Sequence, residues 1–170
     1  MSGLLLARRY LFVLAAAAAC MVGAALPASA QTPDAELKGI TAVGLVVEEM
    51  GSQALSCGFS RDTFEKAVTT ILSAGGFKVT LNSDEDTFLY VKMNSVGVPG
   101  GLCVTRFDVA LFTHTTAKLP YQNQPALVQV SLLSAGGLSG GSVPGHAENV
   151  LKSVKQYVDQ FVSRIRAANK

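Results

Sequence analysis

The chain has 170 residues, with 14 basic and 12 acidic side chains, 2 histidines, 3 cysteines and no tryptophan. Setting aside Arg8 and Arg9 of the amino-terminal leader leaves 12 basic against 12 acidic residues. With balanced charge, no basic run and no aromatic-basic interleaving, neither nucleic acid nor an anionic membrane surface is implied as a partner.

Residues 1–30 have the parts of a signal peptide: a basic start, an apolar run through Leu26, and Ala28-Ser29-Ala30 as a small-x-small cleavage site. The run is long enough to span a bilayer, but the cleavage triplet and the polar Gln31-Thr32-Pro33-Asp34 favour removal. Arg8-Arg9-Tyr10-Leu11-Phe12 also looks like a twin-arginine export signal, and is read as ordinary leader charge. Cys20 after Ala17-Ala18-Ala19 suits lipidation, but the apolar residues 21–26 would make a poor surface tether. The expectation is a periplasmic or secreted product without stable membrane insertion, with 31–170 forming one domain of a size that can bury a core.

Residues 39–48 are β-branched and apolar on both faces, as in a central strand covered on both sides or nearly so, with Gly44 leaving room for close packing. A loop over 50–58 carries Cys57 to a helix marked at both ends. Ser60 stands at the N-cap position, Asp62 puts a carboxylate in the positive first turn, and Phe59 and Phe64 have the spacing of a hydrophobic staple. Phe64, Val68, Ile71 and Leu72 share one face, and Gly75-Gly76 end the helix through φ > 0. A short strand follows over 77–81 and a turn over 82–86. Residues 87–96 alternate, with Leu89, Val91 and Met93 facing the core and Tyr90, Lys92 and Asn94 opposite. After a turn at 97–101, residues 102–114 read as the longest strand, with Cys103, Phe107, Val109 and Leu111 inward. A polar connection (118–125) leads to a strand over 126–133, with Val128, Val130 and Leu132 opposite Gln129 and Ser131. Residues 134–145 read as a Gly/Ser-rich loop, and 146–168 as an amphipathic helix with Val150, Val154, Tyr157, Val158, Phe161 and Ile165 in one stripe. The order β-α-β-β-β-β-α predicts an α+β fold: a mixed five-stranded sheet, its last three strands a meander, with both helices on one face.

Cys57 and Cys103 remain after leader removal, in a compartment that permits oxidation. No C-x-x-C spacing suggests a redox or metal-binding pair, so a structural disulfide is expected. Closing a loop of roughly 46 residues stabilises a fold by about 4 kcal/mol on the chain-entropy model.

No residues assemble into a catalytic, metal or cofactor site. His114 ends the strand that Cys103 begins and points to the other face, so the two cannot share a metal. His146 reads as an exposed helix-start residue. Glu48 and Glu49 point apart, and Asp84-Glu85-Asp86 lacks calcium-loop spacing and reads as a solvated turn. The segment with Gly136, Gly137, Gly140 and Gly141, running into the last helix, is the best candidate for holding an anion on free amides, although it contains neither phosphate-loop glycine pattern nor any lysine.

Leu37-Lys38-Gly39-Ile40, Ser56-Cys57-Gly58-Phe59, Gly101-Leu102-Cys103-Val104 and Tyr157-Val158-Asp159-Gln160-Phe161 together resemble a group of small exported bacterial proteins with no assigned activity, though the tryptophan expected in that group's final strand is absent. In architecture alone the strand-helix-strand opening is similar to the amino-terminal domain of the Tol system's periplasmic propeller protein and to periplasmic activators of cell-wall synthases, which implies a protein-binding module. The expected function is therefore a non-enzymatic module that docks an envelope protein through its open sheet face or a strand edge, with Tyr90, Lys92, Arg106, Asp108, Phe112 and Gln129 as the partner surface and no cofactor. The alternative is a small anionic-ligand binder using the 136–141 glycines and the start of the last helix.

Overall fold

The computed structural model describes residues 34–82 and 85–170; the leader and Asp84 of the acidic turn lie outside them. A single 3-10 turn (Ala35–Leu37) precedes β1 (Ala42–Val47), the short helix α1 (Ser52–Ser56), α2 (Arg61–Ala74), β2 (Lys78–Leu81), β3 (Thr87–Val98), β4 (Leu102–Ala117), β5 (Ala126–Ser142) and α3 (Val143–Ala168). The strands form one sheet in the order β2-β1-β3-β4-β5. β1 pairs in parallel with both β2 and β3, and β3, β4 and β5 run antiparallel. This is the expected α+β arrangement, with α1 added where a plain loop is expected. Five residues are too few for helical periodicity to register in the sequence, and the helix is held by burial of Ala54.

The boundaries of α2 follow from local chemistry. Phe59 and Phe64 pack with ring centroids 5.8 Å apart, closing the staple across the first turn. Ser60 has the extended N-cap backbone, but its hydroxyl makes no capping bond. Arg61 instead anchors this end by donating to Glu65 at 2.7 Å, to Asn82 at 2.8 Å and to Glu49. At the other end only Gly76 has positive φ, at 92°. Gly75 is there for space, since a Cβ would stand 2.7 Å from Val162 Cγ1 on α3.

Alternation builds the core as read. Val43, Leu45 and Val47 of β1, Leu89, Val91 and Met93 of β3, and Cys103, Phe107, Val109 and Leu111 of β4 are buried against Phe64, Val68 and Leu72 of α2 and against Val150, Val154, Val158, Phe161 and Ile165 of α3. Each such side chain contributes about 1.5–3 kcal/mol by leaving water. The Cys57–Cys103 disulfide, with Cα atoms 6.0 Å apart, ties the turn before α2 to the start of β4.

Three expectations require correction. Residues 134–142 are strand, because β5 stays in register with β4 as far as Leu102↔Ser142. Packing crowds the first two of its glycines: a Cβ on Gly136 would lie 2.5 Å from the Phe107 carbonyl oxygen, and one on Gly137 would lie 3.0 Å from the Phe107 ring. That ring packs beneath Tyr157 of α3, with centroids 6.2 Å apart. Second, the β4–β5 register shifts between Leu111 and Phe112, so Leu133 pairs with Leu111, Ser131 with Phe112, and Leu132 is passed over. The bulge reverses parity along β5: before it Val128 and Val130 pair with Thr115 and Thr113 on the helix side as read, and beyond it the odd-numbered Leu133, which is buried, takes that side. Third, His146 is buried, at 1 % exposure. Pro144 and Gly145, the latter with φ of 85°, are not helical, so the regular turns of α3 begin at His146 as read, but the bend before it tucks the ring under the helix instead of into solvent.

Candidate interaction surface

Even-numbered residues of β3 and β4 point away from the helices, and the register aligns them into rows across the sheet. Lys92 stands opposite Asp108, Asn94 opposite Arg106, Tyr90 opposite Ala110 and Phe88 opposite Phe112. On β5, Leu138 stands opposite Arg106, Gly136 opposite Asp108 and Gln129 opposite His114. The structure therefore brings Tyr90, Lys92, Arg106, Asp108, Phe112 and Gln129 onto one face, free of either helix.

The middle of this face is charged and self-compensated. Arg106 holds Asp108 two residues along its own strand, at 3.2 and 3.3 Å, and Lys92 reaches Glu48 at 3.3 Å. Glu49 pairs with Arg61 instead, so the two adjacent acids are engaged by different partners. Burial raises the Tyr90 hydroxyl above its usual pKa, and its hydrogen bond to the Glu48 carboxylate and that group's charge add to the rise.

Apolar groups flank this belt along the strands. On one side Phe88, Phe112, Tyr90 and His114 form an aromatic group, with Phe88 5.6 Å from Phe112 and 5.4 Å from His114, and Tyr90 6.5 Å from Phe112. On the other side Val96, Val98, Leu102 and Val104 are 36–54 % exposed, and Leu138 beside the belt is 76 % exposed. Sequence reasoning missed the aliphatic group, although its β3 and β4 members continue the same even-numbered alternation. Leu138 was hidden by the reading of its segment as a loop.

A second polar cluster lies on the opposite, buried side. Ser95 and Thr105 hydroxyls are 2.8 Å apart, and Thr105 Oγ1 is 2.8 Å from His146 Nε2. The His146 ring meets Phe59 edge-on, with centroids 5.7 Å apart, and its Nδ1 has no hydrogen-bond partner. An orphaned acceptor costs less here than an orphaned N–H, so the favoured arrangement has Nε2–H donating to Thr105, which donates on to Ser95. Burial holds the imidazole pKa below its ordinary value. Hydroxyl and imidazole adjoin, but Thr105 is fully buried, so no substrate reaches its oxygen without opening the core. The cluster joins α3 to the sheet.

Among the described residues no group of three or more His, Cys, Asp or Glu is placed to hold a metal ion, and no helix is long and apolar enough to cross a membrane. The 136–141 glycines run along β5, where extended backbone does not converge its amides on one point, so they do not form the anion-holding loop.

No protein-family model matches the chain, and no curated protein matches its sequence. Solved structures with a similar arrangement include a PelC dodecamer from Paraburkholderia phytofirmans, at 15% identity and TM-score 0.39, covering 75% of this chain and 86% of that one. A minor lipoprotein from Acinetobacter baumannii matches at 13% identity and TM-score 0.33, covering 75% and 95%. The rare lipoprotein B from Shewanella oneidensis matches at 10% identity and TM-score 0.27, covering 75% and 92%. At these values the likeness is of overall arrangement and says nothing of activity; the similarity to the Tol propeller domain has no counterpart among these three.

Proposed function

We infer that the mature chain is a non-enzymatic module of the cell envelope, exported by its leader, whose open sheet face docks another envelope protein. The observation that carries this reading is the composition of that face: a compensated charged belt between an aromatic and an aliphatic group, with large apolar side chains exposed in the described domain. Scattered exposed apolar residues are ordinary, but two clustered apolar groups on one open sheet face, one on each side of a polar belt, mark a contact surface. Supporting it, the adjoining Thr105 hydroxyl and His146 imidazole are both buried.

The test is site-specific photo-crosslinking in the native envelope. A photoreactive residue at Tyr90 or Gln129 should give a discrete protein adduct, and the same residue at Lys152 or Lys155, on the exposed side of α3, should not. Adducts from α3 alone would overturn the assignment of the docking face. Thermal shift against a panel of anionic metabolites separates this reading from the ligand-binding one, since a ligand that prefers the native state raises the melting temperature.

A further inference from the structure

Resting on that reading of the face, we propose that its occupant is a second copy of this chain, related by a two-fold axis that lies in the interface and crosses the strands at the level of Phe107. A two-fold contact requires one surface to be complementary to itself, with residue i meeting j and j meeting i. Rotation about such an axis keeps each strand over its own counterpart and exchanges rows equally distant from Phe107.

The rows given by the strand register meet that requirement. On β4, Arg106 comes over Asp108 of the other copy and Asp108 over its Arg106, two like-for-opposite charge contacts. On β5, Leu138, 76 % exposed, comes over Gly136, which carries no side chain of its own and is flanked by the Asp108 carboxylate. On the next rows outward, Val104 meets Ala110 and Val96 meets Tyr90. Beyond them Leu102 meets Phe112 and Val98 meets Phe88. Every aliphatic row thus meets an aromatic or small one, and no like charges are opposed: Lys92 comes over the neutral Asn94. An axis running along the strands would instead lay one aliphatic group on the other, and would not set Arg106 against Asp108.

The size is adequate. The β3–β4 ladder is 12 residues long, so three strands at ~3.3 Å per residue and ~4.8 Å per strand present on the order of 600 Å² of flat area, before side-chain relief is counted, against about 800 Å² per partner in a standard interface. Sheets that pack this way sit ~10 Å apart with interdigitated side chains.

The experiment is sedimentation equilibrium of the processed chain through the micromolar range, on wild type, Arg106→Asp, Asp108→Arg, the double exchange carrying both, and Leu138→Lys, with folding of each checked by circular dichroism. The expected result is a dimer for wild type and for the double exchange, with association weakened at least about tenfold in both single charge variants and in Leu138→Lys. Arg106 and Leu138 are exposed and Asp108 is half-buried on the open face, outside the core, so the variants are expected to retain the fold, and restoration by the double exchange distinguishes a two-fold contact from contact with a different protein. A monomeric wild type, single variants that still dimerise, or a folded double exchange that stays monomeric would each overturn the proposal. If wild type is monomeric while Tyr90 still crosslinks a different envelope protein, the docking face stands and the second copy does not; absence of both removes both readings.

Discussion

His146 couples the stability of this fold to pH in a direction that follows from its surroundings. The ring is 1 % exposed and bonded to Thr105 through one nitrogen, with no carboxylate hydrogen-bonded to it. Its pKa in the native state lies below the ordinary 6.5 because burial disfavours the imidazolium. Well above 6.5 both states are neutral and the contribution of the group is complete. As pH falls through about 6.5 the unfolded chain takes up a proton that the native state refuses, so stability is lost until pH passes the lowered native pKa and both states are protonated. Within that window the slope has an upper limit of about 1.4 kcal/mol per pH unit, the value for one proton. The assay is urea denaturation at closely spaced pH values, on wild type and on His146→Gln, which does not titrate. Subtracting the two profiles cancels the carboxylates common to both. The expected difference is flat at high pH, falls with acidification below about 6.5 and levels off again. A difference that stays flat throughout would refute the burial argument.

Thr105→Val should cost about 1–3 kcal/mol in the same denaturation assay, because it strands both the His146 Nε2 and the Ser95 hydroxyl beside a fully buried position. Replacing Cys57 and Cys103 together by alanine should remove up to about 4 kcal/mol, and adding reductant to wild type should reproduce most of that loss. Gly136→Ala should destabilise by about 1–3 kcal/mol, since its Cβ would meet backbone at 2.5 Å. Gly140→Ala, whose nearest neighbours would be 3.8 Å away, should be neutral or slightly stabilising; thermal melts of the pair compare them.

The parts of the fold that were legible are those whose determinants lie within a few residues of one another. The Phe59–Phe64 staple, the stop at Gly75-Gly76 and the stripe of α3 are matters of helical spacing, and the inward sets of β3 and β4 are matters of alternation. Five of the six residues expected at the partner surface share a face for the same reason: within one strand parity is local, and the β3–β4 hairpin connection joins the two sets, while Gln129 on β5 joins them through its pairing with His114. Two readings failed where a distant neighbour outweighed local preference. Glycine is a poor strand residue, so 134–145 reads as a loop, whereas in the structure the Phe107 carbonyl, on the adjacent strand, excludes a side chain at Gly136 and the Phe107 ring crowds one at Gly137. A histidine at a helix start is ordinarily exposed, and His146 is buried because Thr105, 41 positions away, supplies its hydrogen bond.

What the sequence determined by itself, then, is the five strands and two long helices, the buried faces of those helices and of β1, β3 and β4, and the pairing of the two cysteines left after the leader, because each depends on short-range periodicity or on simple elimination. Only tertiary structure decided how far β5 runs, where its bulge reverses parity, and which charged and apolar residues line up in rows across the open face. Those depend on hydrogen-bond register between strands, and register is set by packing between residues that the chain itself keeps far apart.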